Sequence, residues 1–152
     1  MRHILLIGGA GYIGTVITKY LLENNMKVRV LDNLLYNNQN VIDEFLNLDH
    51  FSFKKGDLCN ESDVLNSLDG ITDVVILGGL VGDPITKKYP NLNEKINNRG
   101  IKDCISFLNN KNLKKVIFVS TCSNYGLIKD DQIADENFEL KPLSLYAKAK
   151  VE

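Results

Sequence analysis

The sequence predicts an α/β fold: a doubly wound parallel sheet with strand order 3-2-1-4-5. Three observations carry this expectation. Short apolar runs alternate with stretches of helical periodicity along the whole chain. Most of the runs are dominated by Val, Ile and Leu, the pattern of strands covered on both faces. The first run also passes through a cluster of glycines straight into a helix-like stretch, an arrangement that can hold a phosphate.

The strand-like runs fall at 3–7, 27–31, 51–55, 73–77 and 114–119. Between them, 12–24 carries Ile13, Val16, Ile17, Tyr20 and Leu21 at helical spacing. A shorter helix is expected at 40–48, with Val41, Ile42, Phe45 and Leu46. Another at 61–68 starts behind Asn60, a suitable cap, and gathers Val64, Leu65 and Leu68. The longest candidate is 91–110, with Ile96, Ile101, Ile105 and Leu108 along one side. Pro142 is read as opening a last helix. Right-handed crossovers then place a ligand crevice between strands 1 and 4. No repeat or low-complexity linker divides the 152 residues, so one domain over 1–152 is expected.

Composition narrows the function. A formal net charge of −1 with interspersed charges argues against a nucleic-acid or polyanion binder. No signal-peptide pattern is visible, and no apolar run approaches the ~20 residues of a membrane span. Cys59, Cys104 and Cys122 are odd in number and widely spaced, which suits thiols in a reducing cytoplasm. With only His3 and His50 and no paired cysteines, no metal site is expected.

The chemistry-bearing stretches follow the strands. In Ile7-Gly8-Gly9-Ala10-Gly11-Tyr12-Ile13-Gly14, two glycine patterns overlap: Gly9, Gly11 and Gly14, or Gly8, Gly11 and Gly14. Either lets backbone N–H groups at a helix N-terminus meet an anion. Asp32 lies 18 residues after Gly14, at the end of the second strand and before Asn33. A carboxylate there can accept from ribose hydroxyls and repel a 2′-phosphate, which selects NAD over NADP. Asp57, in Gly56-Asp57-Leu58, can bind an adenine amino group or organise the turn into the next helix. Gly78 and Gly79 leave room for a cofactor at the mouth of the fourth strand, and Asp83 beyond them reads as a cap or a substrate contact. The stretch 127–141 has no periodicity, and a loop that long is often functional. Tyr146 and Lys150, four apart, share one helical face.

As an ordered set, these residues resemble the extended short-chain dehydrogenase/reductase family, in particular its nucleotide-sugar epimerases and dehydratases. The resemblance rests on the Gly8–Gly14 turn, Leu31-Asp32-Asn33, Gly56-Asp57-Leu58, the 120–126 segment and Tyr146-x-x-x-Lys150, and it covers essentially the whole chain. It implies a Rossmann-type fold binding NAD, with Gly8, Gly11 and Gly14, together with Tyr12 and Ile13, on the pyrophosphate. It places Asp32 and Asn33 on the adenosine ribose and Asp57 with Leu58 on the adenine. Thr121, Tyr146 and Lys150 match the catalytic set, and Lys150 would also bond the nicotinamide ribose. Asn97, three residues before Gly100, matches an Asn common after the fourth strand; its alternative role is to hold backbone. A nucleotide-sugar substrate and a family-like homodimer are further expectations.

The implied chemistry is transient oxidation of a sugar hydroxyl, with hydride transfer to NAD and a tyrosinate base. A phenol of pKa about 10 needs roughly 4 kcal/mol of preferential anion stabilisation to titrate near neutrality. The Lys150 ammonium and the cationic nicotinamide could provide it in a partly dry cleft. Thr121 can orient the sugar oxygen. Two departures from the family pattern stand out. Cys122 and Ser123 occupy positions where 4,6-dehydratases often carry an acid, which favours an epimerase or a reductase. Ile76-Leu77-Gly78-Gly79 keeps the small pair of the usual His-x-Ala-Ala but not its His. The chain stops in the helix carrying Lys150, whereas family members continue for about as many residues again. The resemblance is therefore to the cofactor-binding half, truncated before the substrate-binding part. On that reading the fifth strand becomes an exposed apolar edge, and a non-catalytic dinucleotide-binding module is the further alternative.

Overall fold

Residues 1–152 are described by a computed structural model, except for the side chain of Asp83; its reading as a cap or substrate contact lies outside the described residues. In chain order the elements are β1 (His3–Ile7), α1 (Tyr12–Glu23), β2 (Lys27–Asp32), α2 (Asn40–Asp43), β3 (Phe51–Lys55), α3 (Glu61–Asn66) and β4 (Asp73–Ile76). There follow α4 (Asp83–Lys88), α5 (Pro90–Asn93), a π-helical segment (Glu94–Gly100), α6 (Ile101–Phe107), β5 (Lys115–Phe118), a 3-10 turn (Cys122–Tyr125) and α7 (Leu145–Val151). The chain divides into two compact units.

The first unit comprises residues 1–79 and 100–119. Its five strands are all parallel and ordered β3-β2-β1-β4-β5, as the alternation of strands and helices predicts. Ile7 stands opposite Leu31 on one side and Ile76 on the other. Gly8, Asp32 and Leu77 therefore leave the sheet side by side at its carboxyl edge, where the strand order reverses. The period of 2 in a strand splits β1 between two cores. Leu5 and Ile7 pack with Leu31, Val64, Val74, Ile76, Cys104 and Leu108. Ile4 and Leu6 pack on the other face with Val28, Val30, Leu34 and Ile42, against Ile17 and Leu21. Each fully buried aliphatic side chain contributes about 1.5–3 kcal/mol, and this double burial is why the central strands β1 and β4 carry so few polar residues. At the edge, β5 differs: Val116 and Ile117 are 44% and 51% exposed, the open apolar edge expected of the fifth strand.

The second unit comprises residues 80–99 and 120–152, with α4, α5, the π segment, the 3-10 turn and α7. Within it, α7 packs against α4 and against the 3-10 turn.

Four helix boundaries differ from expectation. The 40–48 helix stops at Asp43 and continues as i→i+3 turns, Phe45 to Ile42 and Leu48 to Phe45. These turns bring the Phe45 ring within 5.4 Å of Phe51. The single helix expected over 91–110 is broken into α5, the π segment and α6, and the wider π spacing coincides with buried Asn97. Helix α4, where no helix was expected, has Pro84 in its first turn. Pro142 does not open the last helix: α7 begins at Leu145, where the Ser144 hydroxyl accepts the Ala147 N–H. Ser is the stronger N-cap because its side chain satisfies an orphan donor of the first turn.

Candidate functional site

The glycine turn is built by close approach. Gly8 has φ +81°, and its N–H donates to the Leu31 carbonyl at 2.8 Å. A Cβ on Gly8 would lie 2.4 Å from both N and Cα of Gly78, so β1 and β4 meet here backbone to backbone. A Cβ on Gly14 would lie 2.3 Å from the Gly9 carbonyl oxygen. These glycines are demanded by the chain's own packing. Gly11 is different. Its φ is −77°, and a Cβ there would meet only the Gly8 oxygen, at an ordinary 3.5 Å. Among the described residues nothing requires glycine at this position, and the space above it is open.

That space adjoins the start of α1. Gly11 caps the helix without a side-chain hydrogen bond, and the first turn carries no acid. Helix geometry leaves the N–H groups of Tyr12, Ile13 and Gly14 without intrahelical acceptors. The side chains of Tyr12 and Ile13 are 91% and 56% exposed. A helix N-terminus left uncapped in this way is of the kind that can take a phosphate.

Asp32 holds this turn in shape. Its Oδ2 accepts the Ala10 N–H at 3.0 Å and its Oδ1 accepts the Leu34 N–H at 2.8 Å. An ionised carboxylate has about four acceptor sites, so capacity for ribose hydroxyls remains. The Asn33 side chain caps the next turn by accepting the Leu35 N–H. Between them Leu34 is buried at φ +58°, a conformation that costs a non-glycine residue on the order of 1 kcal/mol. Asn38 donates to the Ala10 carbonyl, while its buried Oδ1 has no partner among the described residues. An unpaired buried acceptor costs about 1–3 kcal/mol, which a donor on a bound ligand would relieve. Asn38 was not anticipated from the sequence. It sits in an Asn-rich stretch where nothing local marks it out.

In the turn after β3, Asp57 fills one of the two roles open to it, organising the turn into α3. Asp57 Oδ1 accepts the Cys59 N–H at 2.9 Å, and Asp63 Oδ2 accepts the Asp57 N–H at 2.9 Å. Asn60 caps α3 by accepting the Asp63 N–H, as expected. Leu58 packs towards Gly78: a Cβ on Gly78 would lie 2.6 Å from Leu58 Cδ2. Gly78 is therefore small for internal reasons. Gly79 extends the mouth of β4 at φ 153°.

In the second unit, Thr121 Oγ1 accepts the Ser123 N–H at 3.2 Å and caps the 3-10 turn, with its O–H still able to rotate towards an acceptor. Tyr146 and Lys150 share one face of α7, with Lys150 Nζ 5.8 Å from the centre of the Tyr146 ring. Tyr146 is half-buried and Lys150 is buried. Burial raises the Tyr146 phenol above its ordinary pKa and brings the Lys150 ammonium down to about 8. Lys150 thus lies close to the range in which it can both hold and release a proton. Asn97 is 1% exposed, and its carboxamide grips Leu80: Oδ1 accepts the Leu80 N–H at 2.8 Å, and Nδ2 donates to the Leu80 carbonyl at 2.9 Å. Of the two roles open to Asn97, the side chain here holds backbone.

Among the described residues, no cluster of three or more His, Cys, Asp or Glu could hold a metal, and no helix is long and apolar enough to cross a membrane.

Comparison with known proteins places these features in context. A family model described as "NAD dependent epimerase/dehydratase family" matches residues 4–152. An uncharacterized protein of Methanocaldococcus jannaschii is 30% identical over 98% of this chain and 48% of its own length. A UDP-glucose 4-epimerase of Lacticaseibacillus casei is 30% identical over 97% of this chain and 44% of its own length. Among solved structures, a UDP-glucuronic acid 4-epimerase from Bacillus cereus, in complex with UDP-glucuronic acid and NAD, superposes with a TM-score of 0.87 at 25% identity, covering 99% of this chain and 49% of that one. The chain spans about half the length of the curated relatives it matches.

Proposed function

The chain belongs to the NAD-dependent epimerase/dehydratase family, and from that premise we propose that residues 1–152 form the NAD-binding part of a nucleotide-sugar epimerase-like enzyme. The observation that carries this reading is Gly11, whose missing side chain leaves space at an uncapped helix N-terminus that the chain itself does not use. The dinucleotide fits the groups around it. The N–H groups of Tyr12 and Ile13 would hold the pyrophosphate over Gly8, Gly11 and Gly14. Asp32 and Asn33 would take the adenosine ribose, and Asp57 with Leu58 the adenine. Gly78 and Gly79 would leave room for the cofactor, and Lys150 would bond the nicotinamide ribose.

NAD, when bound, supplies the hydride acceptor and donor. Tyr146 as tyrosinate removes the proton from a sugar hydroxyl and later returns it. Lys150 stabilises that anion, and Thr121 aligns the sugar oxygen by donating its own O–H. Cys122 and Ser123, both exposed beside Thr121, offer no carboxyl acid for an elimination, which supports epimerisation over dehydration. An epimerase returns its hydride to the substrate, so turnover without net NADH is expected, and net NADH accumulation would favour a reductase.

Gly11→Ala tests the carrying observation. The variant is expected to keep its fold, losing at most ~1 kcal/mol from the poorer N-cap, while calorimetric titration is expected to show NAD binding weakened by about tenfold or more, or 1.4 kcal/mol. Unchanged affinity would mean that the pyrophosphate does not lie over Gly11. Asp32→Ala is expected to weaken NAD binding and to narrow the preference for NAD over NADP, because the carboxylate that repels a 2′-phosphate is gone. Titration of both dinucleotides checks this, and an unchanged ratio of affinities contradicts the ribose assignment.

A further inference from the structure

The turn that carries Thr121 is held loosely by its own backbone. In the 3-10 turn (Cys122–Tyr125), the Asn124 N–H donates to the Thr121 carbonyl and the Gly126 N–H to the Ser123 carbonyl, both at 3.3 Å. The Ser123 N–H reaches Thr121 Oγ1 at 3.2 Å. All three stand at or beyond the long end of the usual range of about 2.7–3.2 Å, in keeping with the poorer hydrogen-bond geometry of 3-10 turns.

The short bonds at this turn belong to one residue. Asn124 Nδ2 donates to Ser120 Oγ at 2.8 Å, and the Asn124 carbonyl accepts the Lys141 N–H at 2.9 Å. Asn124 thus ties the residue before Thr121 to the far end of the long stretch 127–141. Its neighbours reinforce the second of these bonds. Gly126 has φ +70°, and a Cβ there would collide with the Lys141 carbonyl oxygen. The Tyr125 ring meets Phe138 edge-on at 6.0 Å.

The carboxamide of Asn124 comes at a cost. The residue is 8% exposed, and its buried Oδ1 has no partner among the described residues. An unpaired buried acceptor lowers stability, whereas an apolar side chain would bring no such group. Stability therefore gives no reason for an amide here, and the bond from Nδ2 to Ser120 does, because it bridges Thr121. We propose that Asn124 is a positioning residue for Thr121: by tying Ser120 to the turn it keeps the Thr121 hydroxyl in one orientation, without itself touching substrate or cofactor. The proposal rests on the reading of Thr121 as the residue that aligns the sugar oxygen.

The first readout needs no ligand. Three-bond NMR couplings of Thr121 give its χ1 angle in wild type, Asn124→Ala and Ser120→Ala. Wild type is expected to hold a single staggered rotamer, and both variants to average over at least two. Ser120 is exposed, so Ser120→Ala breaks the tie from the outside without opening the core. A single rotamer retained in Ser120→Ala overturns the proposal, and so does an averaged one in wild type. The second readout is turnover by the protein containing this chain, with UDP-glucose and UDP-glucuronic acid as probe substrates. Asn124→Ala should lower kcat by about tenfold or more, the scale on which a misplaced aligning group acts, with KM within about twofold. In a Thr121→Ala background the same change should cost less than about twofold, because no hydroxyl remains to be positioned. A merely structural residue would lower activity in both backgrounds. Wild-type kcat in Asn124→Ala, or losses that multiply in the double variant, overturn the proposal. Undiminished turnover in Thr121→Ala overturns the alignment role of Thr121 and the proposal with it. Wild-type protein that converts neither probe overturns the epimerase reading and, with it, the positioning role, while a rotamer lost in Ser120→Ala still establishes the tie.

Discussion

Gly8→Ala is expected to destabilise the protein by about 2–5 kcal/mol, against the 5–15 kcal/mol that holds a typical domain together. Two terms add. A residue with a Cβ at φ +81° pays about 1–2 kcal/mol for the left-handed conformation. The added methyl then lies 2.4 Å from the backbone N and Cα of Gly78, so β1 and β4 must separate, at a further 1–3 kcal/mol for overpacking. Neither neighbour can yield cheaply, because both are main-chain atoms at the end of a strand pair that is hydrogen-bonded along its length. Urea denaturation followed by circular dichroism measures the loss. A change below about 1 kcal/mol would show that the two strand ends can part without breaking the sheet. The contrast with Gly11→Ala is informative. Two glycines three residues apart in one motif should fail for different reasons, one in the fold and the other in the ligand.

Tyr146→Phe is expected to reduce turnover of a UDP- or dTDP-sugar by the protein containing this chain about 10²–10⁴-fold, the usual contribution of a positioned general base. The substitution removes one oxygen and leaves the ring that Lys150 approaches at 5.8 Å, so NAD affinity should stay within about twofold. The electrostatics explain why the pair is needed. Burial disfavours both charged forms, lifting the phenol and lowering the ammonium to about 8. Each charge is therefore poorly stable alone and better stabilised beside the other. A phenol needs roughly 4 kcal/mol of preferential anion stabilisation to titrate near neutrality, besides its burial penalty, and a cation beside it, the Lys150 ammonium or an oxidised nicotinamide, would contribute to that. Turnover by Tyr146→Phe within tenfold of wild type would remove Tyr146 from the role of base.

Much of the fold could be read along the chain because its signals are local. The five strands start and end within a residue or two of the apolar runs, and burial on both faces keeps the central strands β1 and β4 almost free of polar residues. Helix ends were less legible. The 91–110 stretch has helical periodicity throughout, yet the chain there is drawn into a π segment around Asn97, whose partner Leu80 is 17 residues away. At α7, Pro142 was the start expected from the sequence, but the helix begins at Leu145, where the Ser144 hydroxyl accepts the Ala147 N–H.

The same division runs through the candidate site. The order and spacing of Gly8, Gly11, Gly14, Asp32, Asp57, Tyr146 and Lys150 are properties of the sequence. They point to the family because glycine freedom, a carboxylate after the second strand and an i, i+4 Tyr–Lys pair each have a chemistry of their own. Only tertiary structure could decide that Gly8 and Gly78 exclude each other's side chains, that a Cβ on Gly11 would meet nothing nearer than 3.5 Å, that Asn38 braces Ala10, and that Asn97 holds both main-chain groups of Leu80. These are distances between residues far apart along the chain, created when strands and helices pack. The sequence therefore determined the fold class and the family, and packing decided which of its small and amide residues the fold itself requires.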